Sequence, residues 1–205
     1  MISFSKILEQ LQYDPANPLL FNSGFFLYFL FGFTLLYYAV RHHHVARTAL
    51  FTLFSLYFFY KACGLYVGLI ILSAVVDFAL SNLIYRVERP AAKKFLLVCS
   101  MVLNLGLLFY FKYTDFFIAL ANDLSLTHIH PLNLILPIGI SFYTFENLSY
   151  TLDVYKGEFK PINSFLDYLF FLSFFPKLVM GPIVRASDFI PQIRQPHRVT
   201  DEDFT

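Results

Sequence analysis

The sequence predicts an all-α, polytopic integral membrane protein, with several transmembrane helices and broken or re-entrant helices besides. Three observations carry this. Of 205 residues, 58% are hydrophobic, 20% aromatic and 14% charged, whereas soluble domains carry about 25% charge. The apolar residues fall into long uncharged runs of the length a bilayer demands. In the last third, prolines and glycines interrupt otherwise apolar stretches, which plain spanning helices do not tolerate. The net charge of +1 gives no basis for binding nucleic acid.

The chain reads as one transmembrane domain, 1–205. Residues 1–20 include Pro15 and Pro18 and lack a basic stretch followed by a cleavage site, so no signal peptide is expected. The first span lies near 23–40 and is free of charge. Arg41, His42, His43, His44 and Arg47 then make a basic loop. The second span, near 46–61, is short, and it crosses only if Arg47 and Lys61 snorkel to opposite interfaces. Gly64 allows a turn, and the third span, 64–85, is broken only by Asp77. The stretch 86–94 is basic again. The fourth span, 95–112, is followed by Lys112, Asp115 and an apolar tail that either continues the helix or lies along the interface. Lys112 and Asp115, three apart, suit a local ion pair.

A fifth span is expected near 134–155, with Pro137 and Gly139 inside it. The segment 165–185 contains Pro176, Gly181 and Pro182, so a broken or re-entrant helix is expected. At the far end, Thr200 to Asp203 has the form of a capping box, an expected first turn of a further helix. The basic loops orient the spans with 41–47 and 86–94 in the cytoplasm. The N-terminus and the stretch 114–133 then face outward.

Several polar residues are candidates for chemistry. At about 100° per residue, Tyr143, Glu146, Asn147, Tyr150 and Asp153 share one helical stripe, with Phe145, Leu148 and Leu152 opposite. The stripe reads either as the lining of a wet cavity or as a polar packing seam, with Glu146 paired to a cation on a neighbouring helix. Asp77 is either an ion or proton site or a hydrogen-bonding group between helices. Lys177 and Arg185 flank the helix breakers. Each could hold an anionic substrate group or cap free carbonyls at the interface. Cys63 and Cys99 lack a partner spacing and read as small packed hydrophobes. None of the six histidines lies inside an apolar run near the stripe, and no metal-ligand spacing, phosphate loop or nucleophile elbow is present.

Two long motifs carry a resemblance: LPIGISFYTFENLSYTLDVYKG (136–157) and FFPKLVMGPIVR (174–185), with FIPQ (189–192) after the second. SLYFFY (55–60), VDF (76–78) and LFYFKY (108–113) agree with it. The chain resembles the membrane-bound O-acyltransferase family, in its bacterial alginate O-acetylation branch. The resemblance implies a multi-helix inner-membrane protein with a funnel or tunnel. It implies transfer of an acyl group, usually acetyl, from a cytoplasmic donor such as acetyl-CoA. The acceptor would be an extracytoplasmic polysaccharide such as alginate, or a partner protein that passes the group on. No bound cofactor is implied; the donor is a substrate.

The family's catalytic histidine lies in a later helix and matches nothing here, so no catalytic residue is assigned in this chain. The resemblance further implies the N-terminal part of a larger helical fold, inactive by itself. Glu146 stands where the family often has glutamine. Two other functions fit the residues without the resemblance. Asp77 and Glu146 among broken helices suit a transporter or polysaccharide-export subunit. A membrane scaffold without catalysis is the third.

Overall fold

The computed structural model describes residues 11–15, 18, 19, 21, 23–124 and 128–194. Among these it is all-α, as the sequence predicts, in eight helices: α1 (Gly24–Val40), α2 (His44–Cys63), α3 (Val67–Arg86), α4 (Pro90–Asp123), α5 (Ile140–Lys156), α6 (Phe165–Ser173), α7 (Phe175–Met180) and α8 (Ala186–Arg194). The capping box at 200–203 lies outside the described residues.

Helix ends follow local chemistry. Ser23 caps α1, its Oγ accepting from the Phe26 N–H at 3.3 Å. α2 runs past both ends of the apolar stretch 46–61. The Thr48 and Thr52 hydroxyls donate back to the carbonyls of His44 and Thr48, so these polar residues sit comfortably inside a helix. A single 3-10 turn at Gly64–Tyr66, opened by Gly64 at φ +64°, leads into α3.

α4 is longer than the span 95–112. Pro90 starts it, with a fixed φ suited to a first turn. No proline or glycine interrupts 107–123, so the apolar tail continues the helix to Asp123. Its 34 residues extend about 51 Å. Asp115 therefore lies within a helix. Its carboxylate accepts from the backbone N–H groups of Leu132 at 2.7 Å and Leu134 at 3.1 Å, tying the following loop back onto α4. The expected ion pair with Lys112 does not form among the described residues; Lys112 lies over the Tyr113 ring instead.

α5 starts at Ile140, after the nonhelical stretch 134–139. Pro137 has no N–H, and Gly139 is left-handed at φ +76°. A Cβ at Gly139 would lie 2.9 Å from the Leu178 carbonyl oxygen. Gly157, also left-handed at φ +78°, closes the helix.

α3, α4 and α5 each pack against the other two, α4 antiparallel to α3 and α5 parallel to it. α6 packs closely on both α2 and α3, which touch each other little. It lies as a wedge between them: Phe170 meets Phe51 of α2, and Phe165 and Tyr168 meet Phe78 of α3. The segment α6–α8 enters and leaves on one side. Ser164 shares a cavity wall with His44, and the Ile193 carbonyl accepts from Arg47 at 2.6 Å. A helix that breaks in midcourse frees backbone N–H groups. The Phe175 N–H finds Ser55 Oγ at 3.3 Å, and the Ile138 N–H finds Cys63 Sγ at 3.3 Å.

Two apolar clusters hold the helices together. The larger joins α2 to α6 and α8 around Ile70, Tyr150 and Phe171; the smaller is aromatic and joins α1, α2 and α7 around Phe26, Phe54, Phe58 and Phe175. The helical run His44–Arg86 and α4 are long and apolar enough to cross a bilayer, yet only 33% and 22% of their most apolar stretches are buried in the protein. A soluble core helix would be mostly buried. Here Val98, Val102, Phe109 and Phe116 of α4 face outward, as lipid-facing residues do.

Candidate functional site

The polar stripe of α5 faces inward. Tyr143, Glu146, Asn147, Tyr150 and Asp153 are all buried, while Phe145 opposite is 45% exposed. Of the residues opposite, Phe145 alone is exposed; Leu152 is half-buried and Leu148 is buried, so α5 is enclosed over most of its circumference.

Glu146 and Lys177 form the centre. Lys177 Nζ lies 2.9 Å from Glu146 Oε1, and both side chains are nearly inaccessible, at 5% and 2%. The ammonium is 3.8 Å from the Phe171 ring centroid and 4.9 Å from that of Phe189. Such faces stabilise a desolvated cation by about 2 kcal/mol. The Lys177 ammonium is thus engaged by a carboxylate on a neighbouring helix. α7 is short, and its turn is tight around this lysine: a Cβ at Gly181 would collide with the Lys177 backbone. Tyr143 Oη on α5 and Ser173 Oγ on α6 are buried without a hydrogen-bond partner among the described residues. Unmet polar groups of this kind are costly and mark places where water or another molecule would be favourable.

A second constellation begins at Asp77, which is fully buried on α3. Ser100 Oγ and Asn104 Nδ2 of α4 donate to its two oxygens, the latter at 2.7 Å. Asn104 Oδ1 accepts from Asn147 Nδ2 at 3.1 Å, and Asn147 Oδ1 accepts from the Tyr168 hydroxyl at 2.6 Å. The relay ties α3, α4, α5 and α6. Nearby, the Ser81 and Thr151 hydroxyls pair at 3.2 Å.

The remaining candidates stand apart. The Tyr150 hydroxyl accepts from the Ile162 N–H at 3.0 Å and fastens the chain after α5. Asp153 accepts from Glu158 and Phe159 through its carbonyl, a helix-end role. Arg185 is exposed, and its carbonyl starts α8 by accepting from Asp188 and Phe189. Sequence reasoning missed Ser100, Asn104, Tyr168, Phe171 and Phe189. Ser100 and Asn104, four residues apart within an apolar run, carried a readable signal. The two phenylalanines carried none, because phenylalanine is common throughout the chain.

An inward polar face built from four helices, within an outward apolar shell, defines an all-α membrane protein with a chemically equipped interior. Comparison with known proteins gives that class a family. The chain is 32% identical to a peptidoglycan O-acetyltransferase of Helicobacter pylori, over 86% of this chain and 39% of the relative. It is 36% identical to the probable alginate O-acetylase AlgI of Pseudomonas aeruginosa, over 57% of this chain and 23% of the relative. The corresponding protein of Pseudomonas syringae pv. tomato is 29% identical over 90% of this chain and 36% of its own length. The chain is a homologue of these bacterial O-acetyltransferases. Its resemblance to the alginate O-acetylation branch of the membrane-bound O-acyltransferase family is borne out. It spans well under half the length of these relatives. No protein-family model matches the chain, and no solved structure matches it significantly.

Proposed function

We propose that this chain is the front part of a membrane O-acyltransferase. The group transferred is acetyl, from a cytoplasmic donor such as acetyl-CoA. The acceptor is an extracytoplasmic polysaccharide of the alginate type, or a partner protein that passes the group on. The observation that carries the reading is the homology to named O-acetyltransferases along nearly the whole chain. The catalytic histidine of the family belongs to sequence beyond this chain, and the chain alone does not turn over.

The protein sits in the bacterial inner membrane. Arg41, Arg47, Arg86, Arg89, Lys93, Lys94, Lys156 and Lys160 gather at one end of the helices, which supports a cytoplasmic placement for that end. The N-terminus then lies outside. In this reading the stripe of α5 and Lys177 form one wall of the tunnel. The transport reading is weaker, because both oxygens of Asp77 are occupied by neighbouring side chains.

The test is acetyl transfer from labelled acetyl-CoA in detergent. The chain is assayed alone and after co-expression with the part of the P. aeruginosa relative that lies outside the aligned region. No turnover alone, and turnover in the complex, is the expected result. Turnover by the chain alone, abolished by changing one of its own residues, would sink the fragment reading. Proton-dependent flux in proteoliposomes, lost on Asp77→Asn, would replace the enzyme with a transporter.

A further inference from the structure

The basic end of α3 carries two adjoining cavities that the acyl-transfer reading does not use. One, of about 310 Å³, is lined by Asn82, Tyr85, Arg86, Lys160, Pro161 and Asn163. The other, of about 440 Å³, shares Asn82, Arg86 and Asn163 with it and adds Phe78, Ala79 and Leu83. The first is polar and cationic; the second runs along an apolar strip of α3. No aspartate or glutamate lines either cavity, and neither Arg86 nor Lys160 forms an ion pair among the described residues.

Depth separates the two. α3 has 20 residues and ends at Arg86, so it extends about 30 Å, the thickness of the hydrocarbon core. Arg86 therefore lies at headgroup level, beside Tyr85, a residue type enriched there. Leu83, Ala79 and Phe78 lie three, seven and eight residues further in, at acyl-chain level, down to about 12 Å deeper along the helix.

We propose that this pair of cavities binds an anionic phospholipid. Its phosphate is held by Arg86 and Lys160, its glycerol and ester groups lie against Asn82 and Asn163, and one acyl chain follows Leu83, Ala79 and Phe78. A free phosphate would use the cations and leave the apolar half unfilled; a zwitterionic lipid would gain little from two unpaired cations. The proposal does not depend on which reaction the protein serves.

The test uses the full chain in detergent micelles, titrated with dioleoyl phosphatidylglycerol or dioleoyl phosphatidylcholine and read by native mass spectrometry. The variant Arg86→Gln/Lys160→Gln is compared with Lys93→Gln/Lys94→Gln, which removes the same charge at the same end but outside the cavities. Phosphatidylglycerol is expected to bind tighter than phosphatidylcholine. The cavity variant loses about fivefold per cation, roughly thirtyfold in all, and the control variant retains binding. Ala79→Trp, which keeps both cations but fills the apolar half, also weakens the lipid.

Equal loss in the control variant would reduce the effect to diffuse surface charge and overturn the site. Full competition by millimolar inorganic phosphate, with Ala79→Trp silent, would overturn the lipid in favour of a free phosphate. All the substituted positions except Lys93 are exposed, and gel filtration confirms that each variant remains folded.

Discussion

At the residue scale, the Glu146–Lys177 pair is the most consequential contact. Both residues are visible in the sequence as ionisable groups in apolar segments. Their pairing was one of two readings open for Glu146, and the sequence offered no register for it. A buried ion pair is expensive to make and more expensive to halve: removing one partner costs about 3–5 kcal/mol, while removing both charges together costs far less. Lys177→Met is therefore expected to destabilise the protein strongly. Adding Glu146→Gln to it should restore most of the loss, as read from thermal unfolding of the purified single and double variants in detergent. Glu146→Gln alone keeps an acceptor for the ammonium and should cost less than Lys177→Met. A double variant less stable than Lys177→Met would show that the pair is not the coupled unit the 2.9 Å contact indicates.

At the element scale, helices with continuous apolar pattern were legible, and their ends were not. α1 and α3 match their runs closely because charge and glycine bound them. α4 runs on past residue 112, one of the two courses open to its apolar tail, because no proline or glycine stops the backbone before residue 123. α5 began late because Pro137 and Gly139 are strong only together with the Leu178 carbonyl, a neighbour from a distant segment. That neighbour makes a prediction. Gly139→Ala places a Cβ in a left-handed position, costing about 1–2 kcal/mol, and adds the clash with Leu178. Gly157→Ala meets nothing within 4 Å and pays only the conformational part. The first substitution should lower the unfolding temperature clearly more than the second; equal losses would mean the packing of α7 on Gly139 is slack. The relay through Asp77 belongs to this scale too. Asp77→Leu leaves Ser100 and Asn104 without their acceptor and should destabilise by about 1–3 kcal/mol, with Asp77→Asn costing less.

For the whole molecule, composition together with the long uncharged apolar runs was enough to place the chain in a membrane and to make it all-helical. The arrangement of α6 between α2 and α3 was not legible, because periodicity describes one helix at a time and says nothing of which helices are neighbours. The same geometry fixes which loops share a side. In a background carrying Cys63→Ala and Cys99→Ala, single cysteines at His42 and Asn163 should react together with a membrane-impermeant maleimide, from the face opposite to a cysteine at Asn133. Labelling of positions 42 and 163 from different faces would contradict the common end of α2 and α6. Labelling of both from outside intact cells would invert the proposed orientation.

The wedge also has a consequence for synthesis. α2 and α3 leave the ribosome as a hairpin long before α6 exists, yet in the finished protein they are held apart by it. The groove between them, with Phe51 and Phe78 on its walls, must stay open or be filled by lipid until α6 arrives. In the proposed orientation α6 then enters from the side of the membrane where it was made, and both ends of the segment α6–α8 remain there. Assembly of this chain is accordingly ordered in time: a nascent chain arrested before residue 165 should carry α2 and α3 inserted but unlocked, open to proteases that the completed protein resists.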